Sequence, residues 1–151
     1  MGDLEGAFKY ICEMEDLSKT VGNKYFDVIV YNYMISYYTA KGDKNKIYEY
    51  FLKRTETYNE LAVESLIALN SSNMGDFYLQ QNKFDESLEY FNKAIRYFKE
   101  NGNDKQVAKV AQSIGAVYRS KGELVKALQY LEASYEYLSD KNQNTGGMFL
   151  R

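Results

Sequence analysis

Apolar residues recur at alternating spacings of four and three along much of this chain, with polar residues between them. Two sets show this spacing: Phe84, Leu88, Phe91, Ile95 and Phe98, and then Leu124, Leu128, Leu131, Tyr135 and Leu138. Such spacing places the apolar side chains on one face of an α-helix. The pattern therefore predicts that each set forms the apolar stripe of one helix.

Short turns separate the predicted helices at a constant phase. Gly42, Asn82 and Gly122 stand at these turns, and these residue types tolerate the left-handed backbone that a reversal of direction requires. The chain contains no proline, a residue that would end a helix. We expect antiparallel hairpins built from seven helices, near residues 3–20, 24–41, 43–60, 62–81, 83–101, 103–121 and 123–141, and a loop over Lys141 to Gly147.

The hairpin itself repeats, since Tyr38, Tyr78 and Tyr118 are evenly spaced along the chain. Repetition at a fixed period is typical of proteins whose units stack, because a single unit cannot bury its apolar face. We interpret the chain as a fragment of a longer protein with uncovered end faces. Its one domain, residues 1–151, divides into a half repeat 1–23, repeats 24–61, 62–102 and 103–142, and the start of a further repeat 143–151.

The repeated positions resemble the tetratricopeptide repeat, a helix-turn-helix unit of about 34 residues with small residues where its helices cross. The matching residues are Ile114, Gly115, Tyr118, Gly122, Ala127 and Leu131 in the third repeat, and Met74, Gly75, Tyr78, Phe91 and Ala94 in the second. The resemblance implies an all-α fold, a right-handed superhelical solenoid of antiparallel helical hairpins.

Two departures from the family pattern are visible. The first repeat carries Ile35 where a small residue is usual and Arg54 where alanine is usual. The period, about 40 residues, exceeds that of the ordinary repeat. It is similar to the long repeats of bacterial Rap-type peptide receptors and of sensor segments joined to output domains.

Composition narrows the class of protein. The 151 residues are 45% hydrophobic and 26% charged, with a formal net charge of −2, so no field of one sign attracts nucleic acid or anionic lipid. No stretch approaches the roughly 18 apolar residues of a membrane span, and the first residues do not resemble a signal peptide. We expect a cytoplasmic protein with neither nucleic acid nor membrane as a partner.

Catalytic and metal-binding signatures are missing from the sequence. Cys12 is the single cysteine and there is no histidine, which excludes an internal disulfide and the usual zinc-site spacings. No nucleophile-elbow or phosphate-loop glycine pattern occurs. We expect no enzyme activity, no catalytic residue, no metal and no cofactor, and we expect Cys12 to be a buried apolar residue.

The resemblance also implies where a ligand would bind, because the first helix of each hairpin lines a concave surface in this family. The candidate residues are the polar ones on those helices outside the apolar stripes: Asn32, Ser36, Asn73, Asp76, Lys109, Gln112 and Arg119. Amide side chains donate and accept, which suits a peptide backbone. Lys109 and Arg119 suit a carboxylate. At each position, a merely solvated helix face is an equal alternative.

The 16 tyrosines allow two interpretations. They could form a recognition surface, but Tyr10, Tyr50, Tyr90 and Tyr130 stand at the same phase of each repeat, which favours packing between repeats.

The leading functional prediction is a non-catalytic scaffold that binds a protein or peptide segment on its concave face. One alternative is a ligand-sensing regulatory segment of a larger bacterial signalling protein, attached to an output domain. Another is a structural assembly piece. We also expect weak self-association through the uncovered ends.

Overall fold

Seven α-helices account for most of the chain in the computed structural model, which describes residues 3–145, with side chains up to residue 139. The helices are α1 (Leu4–Val21), α2 (Lys24–Lys41), α3 (Lys44–Glu60), α4 (Glu64–Leu79), α5 (Phe84–Glu100), α6 (Asp104–Ser120) and α7 (Leu124–Thr145). Residues 3–145 contain no β-strand. The predicted all-α fold of helical hairpins is confirmed, and the hairpins are α2–α3, α4–α5 and α6–α7.

The end of α7 is the helix boundary that differs most from the prediction. The sequence predicts a loop over Lys141 to Gly147, but α7 continues to Thr145. The prediction was wrong because it equated polar composition with a loop. Neither glycine nor proline occurs between Gly122 and Gly146, and lysine and glutamine are good helix formers. Of the predicted start of a further repeat at 143–151, residues 143–145 are the end of α7, and the others lie outside the described residues.

The turns have the backbone that their residue types predict. Gly42, Asn82 and Gly122 have φ values of 73°, 58° and 79°, in the left-handed region that glycine and asparagine enter at least cost. After the first of these turns, Asp43 caps α3 by accepting a hydrogen bond from the Lys46 N–H over 3.0 Å. Turn chemistry thus ends one helix and starts the next.

Ala62, between α3 and α4, has a φ of 52° where the equivalent Gly22 and Gly102 are glycines. In this left-handed region, the steric cost of a Cβ is roughly 1–2 kcal/mol. Glycine avoids that cost, but it loses roughly 0.5–1 kcal/mol more backbone entropy on folding than alanine does. We therefore expect Ala62→Gly to raise the free energy of unfolding by up to about 1 kcal/mol, measured by urea denaturation. Gly102→Ala, the converse change, should lower it. A loss of stability in Ala62→Gly would contradict the strain at this turn.

The helices pack into two compact units, one reaching to Glu64 and the other beginning at Ser65. The core of the first unit is formed by Ile11, Val30, Met34 and Tyr50. Cys12 packs against this core but is only half-buried, so the expectation of a fully buried residue was too strong. The core of the second unit is formed by Ala68, Phe91, Ala94, Phe98, Val107, Val110, Ile114 and Val117.

Small residues lie where helices of the second unit cross. A Cβ built on Gly75 would stand 2.6 Å from two ring carbons of Phe91, and one built on Gly115 would stand 3.3 Å from the carbonyl oxygen of Ala127. Buried Ser87 donates a hydrogen bond to the Gly75 carbonyl oxygen over 2.8 Å. The close approach predicted at Gly115 and Ala127 is confirmed.

A stacked pair of tyrosine rings recurs once in every hairpin. The ring centroids are 5.8 Å, 5.4 Å and 5.5 Å apart in the pairs Tyr38–Tyr50, Tyr78–Tyr90 and Tyr118–Tyr130. A lysine ammonium lies over one ring of each pair, which adds a cation–π attraction. The predicted packing role is therefore found for Tyr50, Tyr90 and Tyr130, but these stacks join the two helices of one hairpin rather than neighbouring repeats. For Tyr10 the prediction was wrong, because this residue is 69% exposed and belongs to none of the three pairs.

Candidate functional site

Two first helices of the second unit meet through polar side chains. The Ser113 hydroxyl on α6 donates a hydrogen bond to the Asp76 carboxylate on α4 over 3.3 Å. Burial raises the pKa of the Asp76 carboxyl, while the Ser113 hydrogen bond and the Lys109 charge lower that pKa by less. The structure thus brings together the predicted residues Asp76 and Lys109, with Ser113 as a third member. We call these three residues the α4–α6 cluster.

Two more predicted residues lie one helical turn from this cluster. Asn73 precedes Asp76 by three positions on α4 and is half-buried, and Gln112 follows Lys109 by three positions on α6 and is exposed. Residues three apart on a helix are neighbours on one face. Arg119 is also exposed, but at 1.5 Å per residue it lies about 15 Å along α6 from Lys109. It therefore stands apart from the α4–α6 cluster.

The remaining predicted residues, Asn32 and Ser36, lie exposed on α2 in the first unit. The buried Arg54 guanidinium of α3 donates a hydrogen bond to the Asn32 side-chain oxygen. Burial lowers the pKa of Arg54. The Ser36 hydroxyl donates to the Asn32 carbonyl oxygen of its own helix over 3.0 Å. Arg54, which departs from the family pattern, thus orients a candidate binding residue. Whether Asn32 shares a groove with Asn73 and Gln112 stays a prediction.

Sequence reasoning missed three exposed apolar residues on α2. Tyr25, Ile29 and Tyr33 are 61%, 46% and 53% exposed, and their spacing of four places them on the helix face that carries Asn32 and Ser36. They were not among the candidate binding residues because only polar residues outside the apolar stripes were considered. The sequence did contain a signal that Tyr33 is exposed. Its counterparts in the next two repeats are the polar residues Asn73 and Ser113.

The described residues form neither a metal-binding cluster nor a membrane-spanning helix. Among those residues, no group of three or more His, Cys, Asp and Glu is arranged to hold a metal ion. No helix in the described part of the chain combines the length and apolar character that crossing a membrane demands.

A family model described as tetratricopeptide repeat matches residues 64–140, a range that spans two hairpins and half of the chain. The chain belongs to the tetratricopeptide repeat family. A search of curated proteins found no match.

Solved structures agree with this assignment at the level of the fold. A signal transduction ATPase with numerous domains, which carries a tetratricopeptide repeat sensor and comes from Pyrococcus horikoshii, matches with a TM-score of 0.84 and 19% identity, over 95% of this chain and 22% of that one. BtubC from P. vanneervenii matches with a TM-score of 0.67 and 19% identity, over 78% of this chain and 48% of that one. This chain spans about half of BtubC and about a fifth of the ATPase. The predicted solenoid class of fold is confirmed.

Proposed function

We propose that this chain is a non-catalytic scaffold that binds an extended protein or peptide segment with the first helices of its hairpins. Repeats of this family generally mediate protein interactions. The observation that supports the proposal is the α4–α6 cluster, in which Asp76 and Ser113 are joined across two first helices. At this cluster, side chains from two successive repeats are therefore close enough to contact the same segment of a ligand.

The residues beside the cluster suit a peptide backbone. The amides of Asn73 and Gln112 each donate and accept, so they can pair with the N–H and C=O groups of an extended ligand. Lys109 provides a positive charge, and in the protein without a ligand this charge is attracted to the Asp76 carboxylate. An acidic ligand group therefore competes with Asp76 for Lys109, and a peptide with one acidic residue fits this end of the surface.

The exposed face of α2, in the first unit, suits apolar ligand groups. Tyr25, Ile29 and Tyr33 offer exposed apolar area beside the polar Asn32, and aromatic side chains with a polar tip favour contacts that are partly wet. We propose that α2 contacts apolar or aromatic ligand side chains.

The test is binding to an array of extended peptides. Asn73→Ala should weaken capture by about 0.5–1.5 kcal/mol through the loss of one hydrogen bond, and Lys109→Ala should weaken it in a salt-dependent way because its contribution is mainly charge. Lys93→Ala is the matched control, since Lys93 lies on the second helix α5 and pairs with Glu89. Equal capture by all variants, or peptides that map to second helices, would contradict the proposal.

A sensor segment that controls an output domain is the second candidate. The ATPase from Pyrococcus horikoshii is described as having a tetratricopeptide repeat sensor, and this chain spans 22% of its length. The full reading frame that contains this chain provides the test. An output domain in the same frame would favour the sensor, and a frame containing only repeats would exclude it.

A further inference from the structure

The α4–α6 cluster holds two opposite charges close together. The Ser113 hydroxyl donates a hydrogen bond to the Asp76 carboxylate over 3.3 Å, and Lys109 lies four residues before Ser113 on α6. Residues four apart on a helix are neighbours on one face, about 6 Å apart along its axis. Lys109 is exposed and Asp76 is half-buried, so a ligand that lies across α4 and α6 meets both charged groups.

The Asp76 carboxylate is only partly stabilised by its surroundings. Burial raises the pKa of the Asp76 carboxyl, and this effect exceeds the opposing effects of the Ser113 hydrogen bond and the Lys109 charge. A carboxylate has about four lone-pair positions, and the Ser113 hydroxyl occupies one of them. Asp76 can therefore accept further hydrogen bonds, and a ligand cation that reaches it would stabilise its charged form.

A ligand whose only charge is one acidic residue satisfies half of this cluster. Its carboxylate would pair with Lys109, but it would also place a second negative charge beside Asp76. Like charges next to each other at an interface oppose binding. A ligand whose only charge is basic meets the converse problem, since it pairs with Asp76 and is repelled by Lys109. A ligand that carries both charges avoids both repulsions.

The geometry also limits how the two ligand charges are spaced. Successive side chains of an extended segment point to opposite faces, and residues two apart lie about 6.6 Å from each other on the same face. Ser113 marks the level of Asp76 along α6, and Lys109 lies about 6 Å from that level. Two charged ligand residues with one residue between them therefore match the cluster.

We propose that the α4–α6 cluster selects an extended segment of a partner protein that carries a basic and an acidic residue at alternate positions, with the basic residue at Asp76 and the acidic residue at Lys109. This inference rests on the proposed scaffold function and specifies which ligand the cluster prefers. The basic residue of the ligand pairs with Asp76 and so frees Lys109 for the acidic residue. Neither charge of the protein is then left without a partner when the ligand binds.

The test uses an array of extended, end-blocked peptides arranged in matched sets. The members of a set differ only at two alternate positions, which carry Lys and Glu, Glu and Lys, Gln and Glu, Lys and Gln, or Gln and Gln. The affinity of the whole chain for each peptide is measured by titration. In the sets that are captured, one of the two members with both charges should bind about threefold tighter or more than the member with Glu alone, as expected for one further ion pair.

Two variants should change this preference in different ways. Asp76→Asn should abolish the gain from Lys and tighten capture of the peptides with Glu alone, because Lys109 is then no longer attracted to a carboxylate. Asparagine keeps an oxygen that can accept the Ser113 hydrogen bond. Lys109→Gln should abolish the gain from Glu and tighten capture of the peptides with Lys alone. Circular dichroism checks that both variants fold.

Asp85→Asn is the matched control, because Asp85 also interacts with a lysine of another segment. It pairs with Lys121 over 3.2 Å, but its side chain is 89% exposed and lies on the second helix α5. This variant should keep the preference of the parent. Added salt should reduce that preference, since it depends on charge.

The outcomes separate this proposal from the scaffold function on which it rests. Equal affinity for the peptides with both charges and those with Glu alone would overturn the proposal and leave the scaffold function standing. The same preference in the parent and in Asp76→Asn would also overturn it, because another part of the chain would then recognise the charges. Capture of no peptide at all would contradict the scaffold function, and this proposal with it.

Discussion

Replacing Phe91 by alanine is expected to lower the free energy of unfolding by about 3–5 kcal/mol. The ring is fully buried, it lies against the backbone of α4 at Gly75, and it shares a core with α6. Helices on both sides fix the walls of the cavity that the substitution creates, so the site cannot collapse to refill it. Urea denaturation followed by circular dichroism measures the loss.

The repeat offers a matched control for this substitution. Leu131 is the counterpart of Phe91 in the next hairpin, but it is 47% exposed on α7. Leu131→Ala should cost less than about 1 kcal/mol, as surface substitutions usually do. If the Phe91→Ala protein unfolds at the same urea concentration as the parent, the core of the second unit is wrongly assigned.

The second large effect is expected at Gly75, where alanine should lower the free energy of unfolding by about 1–3 kcal/mol. The new Cβ would stand 2.6 Å from the ring of Phe91, closer than carbon atoms approach. The ring is enclosed on all sides and cannot turn away. Overpacking therefore outweighs the gain of roughly 1 kcal/mol that alanine brings over glycine inside a helix.

Gly115 is the control for Gly75, because the two glycines occupy the same repeat position. A Cβ at Gly115 would stand 3.3 Å from the Ala127 carbonyl oxygen and 3.4 Å from Leu131. The half-exposed Leu131 side chain can move, the Ala127 carbonyl needs to shift only slightly, and alanine gains roughly 1 kcal/mol over glycine inside a helix, so Gly115→Ala should be nearly neutral. Gly115→Leu carries more volume into this contact and should cost about 1–3 kcal/mol.

A double-mutant cycle makes the argument at Gly75 specific. Once Phe91→Ala has removed the ring, adding Gly75→Ala should cost much less than it does in the parent, since the two residues are in contact. Urea denaturation of the four proteins gives the coupling energy. Additive losses would show that the Phe91 ring does not limit the space at Gly75.

Sequence reasoning located part of the candidate site. It selected Asp76 and Lys109 because polar residues outside an apolar stripe must face solvent or a ligand. It did not select Ser113, since a serine on a helix surface carries no signal until its partner on another helix is known. It also overlooked Tyr33, because an exposed tyrosine and a buried one look the same in a single sequence.

The sequence by itself determined the helices, their turns and the repeat. Spacing of apolar residues fixes which face of a helix is buried, and Gly42 and Gly122 fix where the backbone can reverse, because both effects act within a few neighbouring residues. Because the same pattern recurs at a constant period, the same hairpin forms in each repeat.

Only the tertiary structure decided which side chains meet across helices. The Ser113 hydroxyl reaches Asp76, and the Arg54 guanidinium reaches Asn32, through helix rotations and crossings that sequence periodicity does not encode. The same holds for exposure, since Phe91 and Leu131 occupy equivalent repeat positions, yet Phe91 is buried against α6 and Leu131 is 47% exposed among the described residues. Contacts between residues distant in the chain depend on the whole arrangement of helices, whereas helix and turn formation depend on local spacing.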